Sequence, residues 1–182
     1  MIDFSLKEEQ ESLRALVRKF VEKEIKPLTE AFDSRVDPKE CFPWEIFEKA
    51  HKLGLRALTL SEKYGGAGAD ILTTAILVEE LCAGDVGIGV TMEQMWMAVQ
   101  VMQTMASQEQ CDRFLPLFRD NPRFLFVVAA CEPEAGSNVF LHCLDPRAGF
   151  RLSAILQDFG PNDICLLNLG KTLETGLKPA KY

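Results

Sequence analysis

The sequence predicts a mainly α chain: a helical bundle followed by a short, incomplete β segment. Two observations carry this. Apolar residues recur at helical spacing in successive segments up to about residue 120, and from Arg123 the pattern changes to short runs rich in Val, Ile, Leu and Phe separated by Pro and Gly. The shift near Asp120 sets the expected division into a helical domain, 1–120, and a partial central β domain, 121–182, divergent after residue 154. The second part holds only about 60 residues and a few short strands, too few for a comfortable independent sheet.

The first helix is expected over 5–26. Ser5 to Glu8 reads as a capping box, Leu13, Leu16, Val17, Phe20, Val21 and Ile25 form the apolar stripe, and Pro27 stops the helix. Residues 28–33 extend it after a break, and 33–43, polar with two prolines, read as a loop. A helix over 44–53 follows, with Trp44, Phe47 and Ala50 inward and Gly54 as its stop. A short apolar connector, 55–60, leads to the Gly-rich loop 61–70, whose Asp70 is available to cap a helix over 71–82. That loop fits neither the dinucleotide-binding nor the P-loop spacing and follows no strong strand, so a nucleotide site is rejected. Glu79 and Glu80 are adjacent on this helix and point about 100° apart, so they cannot share one reacting group and a solvated or helix-capping role is favoured. Residues 84–89 read as a Gly-rich flexible junction before a long helix over 91–105, then a helix over 108–118 with Cys111, Phe114, Leu115 and Phe118 inward. Strands are expected over 124–131, 151–156 and 164–169.

Composition narrows the class. At 182 residues the chain can bury a substantial core, and a hydrophobic content of 47% is that of a globular protein. A net charge of −7 without a basic stripe argues against nucleic acid as the main partner. No apolar run approaches the length of a membrane span. The six cysteines are spread without a C-x-x-C pair, which reads as reduced thiols in an intracellular compartment, and the two histidines have no ligand-like spacing, so no metal is expected. No transit-peptide pattern precedes the first helix, so the bacterial-type cytoplasm is the simplest compartment, or a mitochondrial matrix after removal of a presequence.

Two stretches have chemical content. The first is Val128 to Asn138, where a strand runs into Cys131, Pro133, Gly136 and Ser137. Gly136 lets backbone approach a ligand, and Ser137 offers an N–H and an O–H suited to phosphate or a carbonyl oxygen. Pro and Gly after a strand also make an ordinary turn, which is the simpler reading of these residues taken alone. The second is the stripe of Met92, Met95, Trp96, Val99, Met102 and Met105 on one helix. Core packing explains it most simply; the wall of a pocket for an alkyl chain is the sharper alternative.

Several separated motifs then agree in order and spacing. Phe4-Ser5-Leu6 with Glu9-Gln10, Val17-Arg18 with Phe20, Glu24-Ile25 with Pro27, Leu53-Gly54-Leu55, Glu62 with Tyr64-Gly65-Gly66 and Gly68, Glu79-Glu80-Leu81, Asp85 with Gly87-Ile88, and Glu132-Pro133 with Ala135-Gly136-Ser137 together resemble the acyl-CoA dehydrogenases. The resemblance implies an N-terminal helical domain, a central β domain and a C-terminal helical domain, assembled as a dimer or tetramer. It implies FAD as cofactor and removal of hydrogen across the α,β carbons of an acyl-CoA thioester, a carboxylate taking the α proton and the flavin the β hydride. Carried over by position, Val128, Ala130, Cys131, Gly136 and Ser137 face the flavin, and Ser137, Met95, Trp96 and Val99 border the acyl-CoA.

This chain departs from the family pattern in places. Cys131 stands where the family has Thr, a weaker donor to the flavin ring, and Asn138 replaces Asp. No Trp occurs in 168–176, where the family's flavin-covering strand is faintly echoed. The family's catalytic carboxylate belongs to the C-terminal helical domain, so no residue of this chain is assigned as a catalytic base. This chain is therefore expected not to turn over acyl-CoA by itself. The alternatives are a non-catalytic acyl-chain-binding or interaction module docking on a homologous full-length subunit, or a truncated product without function.

Overall fold

The computed structural model describes residues 5–36, 42–129, 152–158 and 163–169. The chain divides into two compact units, Met1–Met97 and Ala98–Tyr182, with the division inside a long helix. The expected boundary at 120/121 lies within the second unit.

In the first unit α1 spans Glu8–Phe20. It starts three residues later than expected, because Lys7 and not Ser5 is its N-cap: the Gln10 side chain folds back and its Oε1 accepts from the Lys7 N–H at 3.0 Å. Glu8, Glu9 and Glu11 sit at the positive end of the helix and Arg18 and Lys19 at the negative end, each sign complementing the macrodipole. A π-helical turn, Val21–Ile25, and a 3₁₀ turn, Lys26–Leu28, continue it into α2, Thr29–Asp33. The buried stripe is Val17, Phe20, Val21 and Ile25, joined by Gln10, while Leu16 is left exposed.

Helix α3, Trp44–Lys52, ends before Gly54 as expected, but its inward face is Ile46, Phe47 and Ala50. Trp44 is only half-buried, its ring tilted against Phe42 with centroids 4.5 Å apart. The connector 55–60 buries Leu55, Leu58 and Leu60 and leads through the Gly-rich loop to α4, Ile71–Cys82. There Asp70 accepts from the Thr73 N–H at 2.7 Å, the N-cap that the sequence predicts.

Helix α5 spans Val86–Met105, five residues earlier than the expected start. The stretch 84–89 is not a flexible junction. Asp85 Oδ1 accepts from the Ile88 N–H at 2.9 Å and starts the helix, and the glycines there serve close packing. A Cβ on Gly89 would run into Cys82 Sγ and lie 2.9 Å from the Cys82 amide nitrogen; one on Gly84 would run into Val21 Cγ1. Gly89, inside the helix, costs about 1 kcal/mol of propensity relative to Ala, a cost accepted where backbones must approach this closely.

In the second unit α6, Gln108–Asp120, opens with a capping box in which Ser107 Oγ accepts from Gln110 N–H and Gln110 Oε1 accepts from Ser107 N–H. Cys111, Phe114, Leu115 and Phe118 are buried as expected. Strand β1, Leu125–Ala129, follows, and Phe118 meets Phe126 at 5.2 Å between ring centroids. With β2, Leu152–Asp158, and β3, Asp163–Leu169, it forms a three-stranded sheet of order β1-β3-β2, in which β1 runs parallel and β2 antiparallel to β3. The mainly α class with a short β segment holds. Among the described residues no helix is long and apolar enough to cross a membrane.

Candidate functional site

Of the stripe on α5, Met95, Trp96 and Val99 are all buried, at 2%, 1% and 0% exposure. Trp96 is fixed at both its polar groups. Its Nε1–H donates to the Leu55 carbonyl at 2.8 Å, and its own carbonyl accepts from Thr59 Oγ1 at 3.1 Å. A buried indole meets its hydrogen-bond demand only if such a partner is present. The pair therefore ties α5 to the connector at one axial position. Met92 and Met102 are buried with them, whereas Met105 is exposed. Val86 and Val90, one turn apart on α5, stay at 65% and 47% exposure, an apolar pair whose i, i+4 spacing is visible in the sequence.

At the N-terminal end of α5 lies an open cleft of about 450 Å³, lined by Phe32, Asp33, Phe42, Pro43, Asp85, Gly87, Ile88 and Thr91. Phe42 is stacked on Phe47 at 4.9 Å, and the Arg35 guanidinium lies 4.4 Å from the Phe32 ring centroid. The walls are aromatic and aliphatic, with carboxylates at the rim.

Glu80 corrects the expectation of a solvated pair. Glu79 is exposed, but Glu80 is buried between two arginines of α1. Arg14 Nε donates to Oε1 at 2.8 Å and Arg18 Nε to Oε2 at 2.9 Å, with Arg18 Nη2 also on Oε1. These bonds, that of Arg18 first, hold the Glu80 carboxyl down at about 2. One turn of α1 away, Gln10 Nε2 donates to Thr73 Oγ1 at 3.1 Å. The carboxylate is thus a fastening between α1 and α4: burial alone would raise its affinity for a proton, but the two arginines outweigh it and hold the group ionised, away from general-base use. Arg56 in the connector is also buried, which lowers its guanidinium to about 10.

The Gly-rich loop is not a phosphate cradle either. Its N–H groups are spent on backbone carbonyls: Gly66 donates to Ser61 O within the loop, and Ala67 to Ala57 O, Gly68 to Leu60 O and Ala69 to Leu58 O of the connector. An anion-binding loop needs such donors free and convergent.

Of the residues expected to face the flavin, Val128 lies in β1, where its backbone is paired with Leu167 of β3. Ala130, Cys131, Gly136 and Ser137 lie outside the described residues. Among the described strands β1 has β3 on one side only.

The model of the acyl-CoA dehydrogenase N-terminal domain matches residues 7–120. The chain is 32% identical over 140 residues to the short-chain specific acyl-CoA dehydrogenase of Clostridium acetobutylicum, an alignment covering 75% of this chain and 35% of that protein. It is 30% identical over 132 residues to the mitochondrial long-chain specific acyl-CoA dehydrogenase of Rattus norvegicus, covering 72% of this chain and 29% of that one. The crystal structure of glutaryl-CoA dehydrogenase from Mycobacterium smegmatis superposes with a TM-score of 0.61 at 28% identity, over 84% of this chain and 36% of that one. The chain thus spans about a third of the length of these relatives. With the family model matching more than half of the chain, over residues 7–120, the chain belongs to the acyl-CoA dehydrogenase family.

Proposed function

We propose that the chain is the N-terminal portion of an FAD-dependent acyl-CoA dehydrogenase, and that this polypeptide by itself does not turn over. What supports the reading is the match over 7–120. The family reaction removes the α proton and the β hydride of an acyl-CoA thioester, the hydride passing to FAD. Within these 182 residues the proton-abstracting role is assigned to no side chain. Val128, Ala130, Cys131, Gly136 and Ser137 are proposed to face FAD. Ser137, with Met95, Trp96 and Val99, is proposed to border the acyl-CoA. Because the last three are buried here, they reach an acyl chain only through the buried side of α5. A homo-oligomer or a homologous full-length subunit is the proposed partner, and the cytoplasm the proposed compartment. Relatives named for short and for long chains match alike, so no acyl length is assigned.

A purified 182-residue chain should show no acyl-CoA-dependent reduction of an electron acceptor and no retained flavin absorbance. Turnover would overturn the non-competence. The second reading, a non-catalytic interaction module, is favoured by the exposure of Ile71 (86%) and Val86 (65%), large apolar side chains left facing solvent. It predicts a flavin-free chain whose apparent size shifts on adding a full-length homologue.

A further inference from the structure

We draw no further inference here: the strongest candidate, the open aromatic cleft between α2 and the N-terminal end of α5 with Asp33 and Asp85 at its rim, carries nothing because Asp85 is already engaged in capping α5 and nothing in the structure shows what covers the opening.

Discussion

Two seams of the helical unit hold by different chemistry. Where α5 meets the connector 55–60, the fastening is a buried indole with its N–H on Leu55 and a threonine hydroxyl on its carbonyl. Where α1 meets α4, it is a buried carboxylate between two partly exposed arginines. The first is neutral and insensitive to pH; the second depends on a charge. The difference teaches that neighbouring helices of one unit can respond to different conditions.

The largest effect is expected from Trp96→Ala, which removes a ring at 1% exposure and strands the Leu55 carbonyl. A loss of about 3–5 kcal/mol in urea unfolding is expected, enough to unfold a marginal domain. Trp96→Phe keeps most of the ring and should cost only about 1–2 kcal/mol, so the gap between the variants separates packing from the hydrogen bond. Equal losses would show that the ring's packing contributes nothing beyond the bond.

Gly89→Val tests the α4–α5 contact. The added side chain meets Cys82 backbone as well as its sulfur, and backbone cannot step aside, so about 2–3 kcal/mol of destabilisation is expected by thermal melting.

Glu80→Gln sharpens the contrast between the seams. Arg14 and Arg18 are 33% and 57% exposed and regain water when the charge is lost, so the loss at pH 7 should be about 1–3 kcal/mol, less than for a fully buried pair. The folded carboxyl titrates near 2, below its ordinary 4.5. Its contribution is therefore fully present above pH 4.5 and is lost as the pH falls from there through 2. The stability gap between wild type and Glu80→Gln should close over that window, whereas the gap for Trp96→Phe should stay constant. A Glu80 gap independent of pH would refute the charge-based fastening.

The smallest effect is expected for Asp70→Ala, which removes the α4 cap to Thr73 and should cost about 1 kcal/mol in chemical denaturation.

The sequence carries the local part of this fold well. Helix α4 begins at the capping Asp70, α6 buries the four predicted residues, and the strands fall where the apolar runs do, because caps and periodicity are short-range signals. What it hides is set by distant partners. Glu80 is buried because Arg14 and Arg18, more than sixty residues earlier, meet it across two helices. The glycines of 84–89 read as a flexible junction, yet Gly84 and Gly89 are helix-contact positions whose reason lies at Val21 and Cys82. Leu16, expected in the apolar stripe, is exposed, while Gln10 is buried with Thr73 to donate to. Of the candidate site, the stripe on α5 is visible as a pattern, but its burial around Trp96 is not; of the residues proposed to face the flavin only the strand position Val128 is described.

The proposal that this helical portion serves an acyl-CoA dehydrogenase is tested most directly by transplanting residues 1–120 in place of the corresponding portion of the short-chain specific enzyme of Clostridium acetobutylicum. The chimera should purify with flavin and reduce an electron acceptor when given an acyl-CoA. A flavin-loaded chimera that is inactive on acyl-CoAs of every chain length would contradict the account.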